Sequence, residues 1–445
     1  MTDSTGASAA APLRDAGGRD EALRRDLRAL FDEAVRAVSA EVAMPRELPL
    51  SPHGRTAVIA VGKGAAAMMR AAEARAGGRR LEGLVVTRHG HLPPDGAHGP
   101  EVEVIEAGHP YPDENSVRAA GLALEIARSL EAGDRLLVLL SGGGSALLAA
   151  PAPGLALAHK QAITRALLQS GATIEEINRV RKHLSAVKGG RLAVAAGPAA
   201  VTTWIISDVP GDDPSFVSSG PTVADASSLE MAREILTRYG IAAPPEVEAV
   251  LADPANETPG PDTLGLAGSE VRVIARARDA LAAAGALARK MGYQVTDLGD
   301  QLQAEARHLG ASHAALSRRL ARDGAARAII SGGECTVTVV NKHGRGGRNL
   351  EYLLGLAIAL DGEPGISALA CDTDGIDGTE EAAGAIVTPD TLARAAALGL
   401  DPARHLHENN AHLFFEALGD LVVTGPTLTN VNDFRAILIA GGGRS

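Results

Sequence analysis

Residues 135–148, RLLVLLSGGGSALL, run five unbroken apolar residues into a serine, three glycines, a second serine and a helix-like tail. A short continuous apolar run of this kind predicts a strand buried on both faces, as in a parallel sheet covered by helices. Glycine directly after such a strand lets backbone N–H groups approach a ligand with no Cβ in the way. A helix starting there adds free N–H groups and the positive end of its dipole, so the turn fits an anion and above all a phosphate. A tight strand-to-helix turn without a ligand fits the same residues, and the rest of the chain has to decide between the two.

At 445 residues the chain is too long for one ordinary core, which implies two or three domains. Its net charge of −11 argues against non-specific nucleic-acid binding, and an aromatic content of 2% argues against base-stacking platforms. In so acidic a chain, clusters of Arg and Lys become the informative places for anions. Two cysteines, Cys335 and Cys371, make neither a disulfide framework nor a zinc site, and they fit a reducing, cytoplasmic setting. No run reaches the ~18 apolar residues of a membrane span. Residues 1–20 lack an apolar stretch and read as a disordered lead.

Along the chain, residues 21–42 predict an amphipathic helix. Residues 56–61 predict a strand that enters the turn Gly62, Lys63, Gly64 and then a helix. Gly62, Gly64 and Ala67 formally match the dinucleotide-binding pattern. The acid required at the end of the next strand is missing, because Glu82 precedes that strand. A lysine inside the turn suits a phosphate or carboxylate, although an exposed turn lysine is the plain alternative. Residues 157–170 and 172–197 predict helices, the second opened by a capping box of Thr173 and Glu176. On that second helix Arg181 and Lys188, seven apart, would share a face.

The strand predicted over 201–206 delivers Asp208 to its C-terminal end, where α/β sheets place their chemistry. Asp212 and Asp213 follow, and Ser218, Ser219 and Gly220 form a second possible anion turn. Residues 244–265, polar and rich in Pro and Gly, read as a domain boundary. An α/β rhythm then restarts with a strand over 271–275. Residues 326–340 predict a strand, a Gly-Gly turn and a returning strand. Arg345 and Arg348 among Gly344, Gly346 and Gly347 suit bidentate anion recognition on a flexible backbone. Asp372, Asp374 and Asp377 punctuate a loop that lacks the final carboxylate of a Ca²⁺ site, since Ala383 stands there; Mg²⁺ or hydroxyl binding fits better.

Taken together, VGKGA, GHPYPDENS, LLSGGGSALL, INRVRKHLSAVKGGRLA, SDVPGDDPSFVSSGPTV, SGGECTVTV, GRGGRNLE, DTDGIDGTEEAAGAIV and TGPTLTNVNDF resemble, in order, the class II glycerate kinases. The resemblance runs from about Leu23 to the C-terminus. It implies an α/β fold of two domains, residues 21–262 and a MOFRL-type domain over 263–445. Each would be a Rossmann-like three-layer α/β/α unit with a largely parallel sheet, with the active site in the interdomain cleft. The implied reaction is ATP-dependent phosphorylation of D-glycerate to 2-phosphoglycerate, with ATP and Mg²⁺ as cofactors. No nucleic-acid or membrane partner is implied, and the chain would be a monomer or homodimer.

Lys63 and Arg348 fall on positions thought essential in that family, and Asp208 and Asp374 are the candidates for metal contact and proton acceptor. Ser141, Gly142, Gly143, Gly144, Ser145 and Gly220 would hold phosphates. Arg345, Arg181, Lys188, Asn349 and Glu334 would bind substrate. Departures from the family pattern stand at Arg276, Ala277, Asn409, Asn410 and Cys335. A hydroxypyruvate reductase using NAD(P)H is the competing enzyme reading, and an anion-binding regulatory protein on a kinase scaffold is the non-enzyme one.

Overall fold

The apolar runs of the N-terminal half all become strands of one sheet. In the computed structural model, which describes residues 13–93, 98–378 and 380–442, these are Thr56–Val61 (β1), Glu82–Arg88 (β2), Val102–Ala107 (β3), Arg135–Leu140 (β4), Ala200–Ile206 (β5) and Glu270–Ala275 (β6). Every pairing is parallel, in the order β3-β2-β1-β4-β5-β6. All six residues of β1 and the last five of β4 are buried, which is why these runs show no polar alternation. Ala57, Ile59, Val61, Leu136, Val138 and Leu140 share one core with Ala119, Ala120 and Ala123 of the helix Glu114–Arg128. A second, purely helical core gathers Ile163, Leu167, Ile177, Val180, Ile235 and Val247.

Two compact units result. The N-terminal unit is 35–280 with 426–432, and the C-terminal unit takes the remaining described residues. Strand β6 lies beyond the expected boundary at 262, because it pairs with β5 and so completes the first sheet. The expected lead over 1–20 falls outside the described residues for 1–12; from Leu13 the chain is already in the helix Leu13–Ala37. Up to Ala34 that helix is part of the C-terminal unit, with Arg24 2.7 Å from Asp420, Tyr293 Oη donating to Asp26 at 2.6 Å, and the Phe31 and Phe434 rings 6.0 Å apart.

The C-terminal unit corrects the expectation of a largely parallel sheet. Gln294–Asp297 (β7), Arg327–Ser331 (β8), Ile366–Asp372 (β9), Gly384–Val387 (β10), Leu421–Val422 (β11) and Asp433–Ile439 (β12) lie in the order β11-β10-β9-β12-β8-β7. Only β7 and β8 pair in parallel. The final strand enters between β8 and β9 running against both, and β9 returns to β10 without a crossover helix, which forces antiparallel pairing. The strand expected to return after Gly333 forms no ladder; Gly333 and Thr336 make isolated bridges to Leu302 and Glu305. Among the described residues no helix is long and apolar enough to cross a membrane.

Candidate functional site

In the first sheet β2 and β3 lie to one side of β1, and β4, β5 and β6 to the other. The winding therefore reverses between β1 and β4, where doubly wound sheets open a crevice at their C-terminal ends. Val61 is in register with Leu140, so both Gly-rich turns leave the sheet at the same level. They are tied together: Lys63 N donates to Gly142 O at 2.8 Å, and Gly64 N to Ser141 Oγ at 2.9 Å.

The two turns differ in what they leave open. In the first, Gly62 N donates to Val86 O, Ala65 N to Gly62 O, and the Lys63 and Gly64 amides are spent as above. In the second, Ser141 N donates to Val61 O. The amides of Gly142, Gly143, Gly144 and Ser145 make no hydrogen bond among the described residues. Four successive open N–H groups at a topological switch point are a cradle for oxyanions. Ser141 itself is buried and acts as the tie between the turns.

Asp208 follows β5 and stands against Gly142, where any Cβ would overlap its carboxylate and the Asn430 amide; this is why position 142 holds glycine. Asn430 Nδ2 donates to Asp208 Oδ2 at 3.2 Å and Asn432 Nδ2 to Asp208 O at 2.5 Å. The Lys63 side chain runs alongside, its Cγ 3.6 Å from the Cβ position at Gly143, and the His109 ring stands against the same glycine. Asp212 and Asp213 serve the turn instead: Asp212 holds Arg278 at 2.5 Å and Asp213 accepts from Ser215 N at 2.8 Å. Gly220 is also structural, since its carbonyl accepts from Gly190 N and its amide donates to Val217 O.

Arg181 and Lys188 do not share a helix as expected. The helix Ile174–His183 stops there, and Gly189 and Gly190 adopt left-handed backbone before the short helix Arg191–Ala195. Lys188 is 1% exposed and donates to Ser145 O at 2.8 Å, which places it at the second turn.

In the C-terminal unit Arg348 opens the helix Arg348–Leu360. Its Nε donates to Asp433 at 2.8 Å, its Nη1 to Glu334 at 2.5 Å and its Nη2 to Asp372 at 2.9 Å. These carboxylates come from the ends of three adjacent strands, and Asp372 lies directly opposite Asp433 across the β9–β12 ladder. Like charges facing each other there are unfavourable, and Arg348 bridges them. Burial would push its guanidinium down, but Asp433, Asp372 and Glu334 outweigh burial and raise it above its ordinary range. Three of its five donors are used.

Asp377 caps this helix from a distance, accepting from Asn349 N at 3.1 Å and Leu350 N at 2.9 Å, while Gly347 at the N-cap has no side chain to do so. A Cβ on Gly347 would overlap that carboxylate. Asn349 is buried and also donates to Asp433 at 2.8 Å. Burial, then the Asp433 charge, push Asp377 up to about 6 against its hydrogen bonds and Arg348. Asp374 is buried in the same loop and accepts from Ile376 N at 2.8 Å. Arg345 instead pairs with Glu380, at 2.6 and 3.2 Å.

Among the described residues no group of three or more His, Cys, Asp or Glu side chains could hold a metal ion. Mg²⁺ is usually held by one or two carboxylates together with phosphate oxygens, and Asp208 beside the open amides fits that donor set.

Two family models match this chain. A family described as a domain of unknown function, DUF4147, matches residues 26–252, and the MOFRL family matches residues 327–433. A protein of Agrobacterium vitis, provisionally named hydroxypyruvate reductase, is 49% identical over 94% of this chain and 95% of its own. The D-glycerate 2-kinase of Thermotoga maritima is 39% identical over 93% of this chain and 97% of its own. A crystal structure of a Thermotoga maritima glycerate kinase superposes with a TM-score of 0.84 at 38% identity, covering 94% of this chain and all of that one.

Proposed function

Because the chain belongs to the glycerate kinase family, built of a DUF4147 domain and a MOFRL domain, and is a kinase, we propose that it transfers the γ-phosphoryl group of ATP to the C2 hydroxyl of D-glycerate. The products are 2-phosphoglycerate and ADP. The observation that carries this reading is the row of four open amides, Gly142 to Ser145, beside Asp208 at the switch point. Phosphoryl transfer asks a protein mainly to position phosphates and balance their charge, and such a row does the first.

In this reading the open amides orient the phosphates, and the Lys63 ammonium balances charge that develops on the transferred group. Arg181 and Lys188 take an anionic group of the substrates. In the C-terminal unit, Arg348 is a guanidinium kept charged and rigid by three carboxylates, with two donors to spare for an anion. Mg²⁺ would supply charge screening when bound, with Asp208 or Asp374 as its protein contact beside phosphate oxygens. Asp208 and Asp374 divide the remaining roles, metal contact and acceptance of the C2 hydroxyl proton. Asp→Asn variants separate them, since loss of a metal contact raises the Mg²⁺ requirement and loss of the acceptor changes the pH profile. A cytoplasmic setting suits the two cysteines, both free and buried.

Phosphorus NMR of the product from D-glycerate and MgATP tests the proposal. A 2-phosphoglycerate resonance is expected; 3-phosphoglycerate, or ADP formation independent of glycerate, would overturn it. The reductase reading draws on the provisional name of the Agrobacterium vitis relative. Two observations count against it. The amides of the Gly62 turn are spent, and β2 begins with Glu82 and ends at Arg88, leaving no acid at its C-terminal end for a ribose. Oxidation of NADH by hydroxypyruvate, followed by nicotinamide absorbance, is expected to be absent.

A further inference from the structure

Behind the second turn the N-terminal unit buries more positive charge than it balances. Lys160 on the helix Leu157–Ser170 is 7% exposed, and Lys182 and Lys188 are buried with it. Arg181 and Arg191 lie close enough to repel Lys160, and Arg181, Lys160 and Lys182 close enough to repel Lys188. The local carboxylates are already engaged. Asp225 pairs with Lys182 at 3.1 Å, Glu257 holds His183 at 3.0 Å, and both act on Arg191.

Three cations are left over. The Arg181 side chain, partly buried and desolvated, makes no hydrogen bond and no ion pair among the described residues. Lys160 donates only to Ala150 O, at 3.3 Å, and Lys188 only to Ser145 O, at 2.8 Å. Buried charges are ordinarily paired, and three together without a carboxylate describe a site whose counter-charge comes from a ligand. A lone carboxylate brings one negative charge, whereas a phosphoryl group brings about two with several acceptor oxygens. Lys188 also ties this cluster to Ser145, the last of the four open amides.

We infer that Lys160, Arg181 and Lys188 form a receptor for a phosphoryl oxyanion, and that binding there takes up a proton. The inference rests on the kinase reading only for the source of the oxyanion, ATP phosphates or the phosphorylated acid. Burial and then the charges of Arg181 and Arg191 push Lys160 down to about 7, and burial and its cationic neighbours push Lys188 well below its ordinary range. A bound phosphate reverses both effects. Asp225 and Glu257 face Lys182, His183 and Arg191 and do not oppose this.

The test is titration calorimetry of the full chain with inorganic phosphate, ADP and 2-phosphoglycerate, at pH 6 and pH 8, in buffers of different ionisation enthalpy. Proton uptake is expected at pH 8 and much less at pH 6. The tightest of the three ligands names the source. Arg181→Met is expected to weaken that ligand about 100-fold, as loss of a buried charge partner typically does. Without ligand it should melt at or above the wild-type temperature, because it removes an unpaired, desolvated charge; a structural arginine would do the opposite. Lys160→Met should abolish most of the proton uptake. Unchanged affinity or a lower melting point in Arg181→Met, or no uptake by wild type, would overturn the receptor. If wild type shows uptake but forms no ADP from glycerate and ATP, the receptor stands and the kinase reading falls; the converse result spares the reading.

Discussion

Replacing Asp377 with alanine removes the cap of the helix that carries Arg348, and the outcome depends on pH in a way the structure specifies. Three hydrogen bonds are lost: those of the Asn349 and Leu350 amides, which are left without an acceptor, and one from the Asn349 side chain, which keeps Asp433. Asn349 and Leu350 are buried, so each orphaned backbone N–H costs about 1–3 kcal/mol. Against this, the wild-type carboxyl is raised from 3.8 to about 6, mainly by burial. A carboxyl raised in the fold stabilises fully below its unfolded value, and this contribution is lost as pH rises from 3.8 through 6. At pH 8 the wild type therefore carries a penalty of about 3 kcal/mol, and at pH 5 about half of that. Alanine has no such penalty. Asp377→Ala should consequently be more destabilising at pH 5 than at pH 8, by about 1.5 kcal/mol. Urea unfolding of both proteins at the two pH values measures this directly. A loss that is independent of pH, or greater at pH 8, would refute the reasoning. Turnover should fall as well, because the first turn of the helix positions Arg348.

Two further outcomes follow from close contacts. Arg348→Met should reduce kcat by roughly 10³-fold or more, the usual effect of removing a charge clamp in phosphoryl transfer. It should also lower the melting temperature, since Asp372 and Asp433 then face each other across the ladder without their bridge; near-normal turnover would remove Arg348 from the mechanism. Gly142→Ala drives a methyl into Asp208 and Asn430 and should cost about 1–3 kcal/mol of stability while raising KM for ATP. A wild-type KM in that variant would mean the turn does not hold the nucleotide.

Much of this site is legible along the chain. Short apolar runs ending in glycine mark β1 and β4 and their turns, and Arg348 and the Asp372, Asp374, Asp377 loop stand out by composition alone. Lys160 carries a weaker signal that escapes composition: it shares a helix face with Ile163 and Leu167, a stripe that normally excludes lysine. Asn430 and Asn432 stand in the motif TGPTLTNVNDF, but nothing local marks their contact with Asp208, which they meet across more than 200 residues. The antiparallel second sheet is equally hidden, since it depends on where the last strand inserts.

What the sequence determined by itself is local: the period of its apolar residues, the glycines that permit close approach, and the order of its motifs. The tertiary structure decided which of two similar turns keeps its amides open, because that depends on acceptors such as Val86 O and Gly142 O brought in by neighbouring strands. It likewise decided which cations are compensated. Arg348 finds three carboxylates because β9 ends and β12 begins beside the segment just after β8, while Arg181 finds none because Asp225 and Glu257 are already engaged. Hydrogen-bond satisfaction and charge balance are sums over neighbours in space, and no pattern along the chain contains those sums.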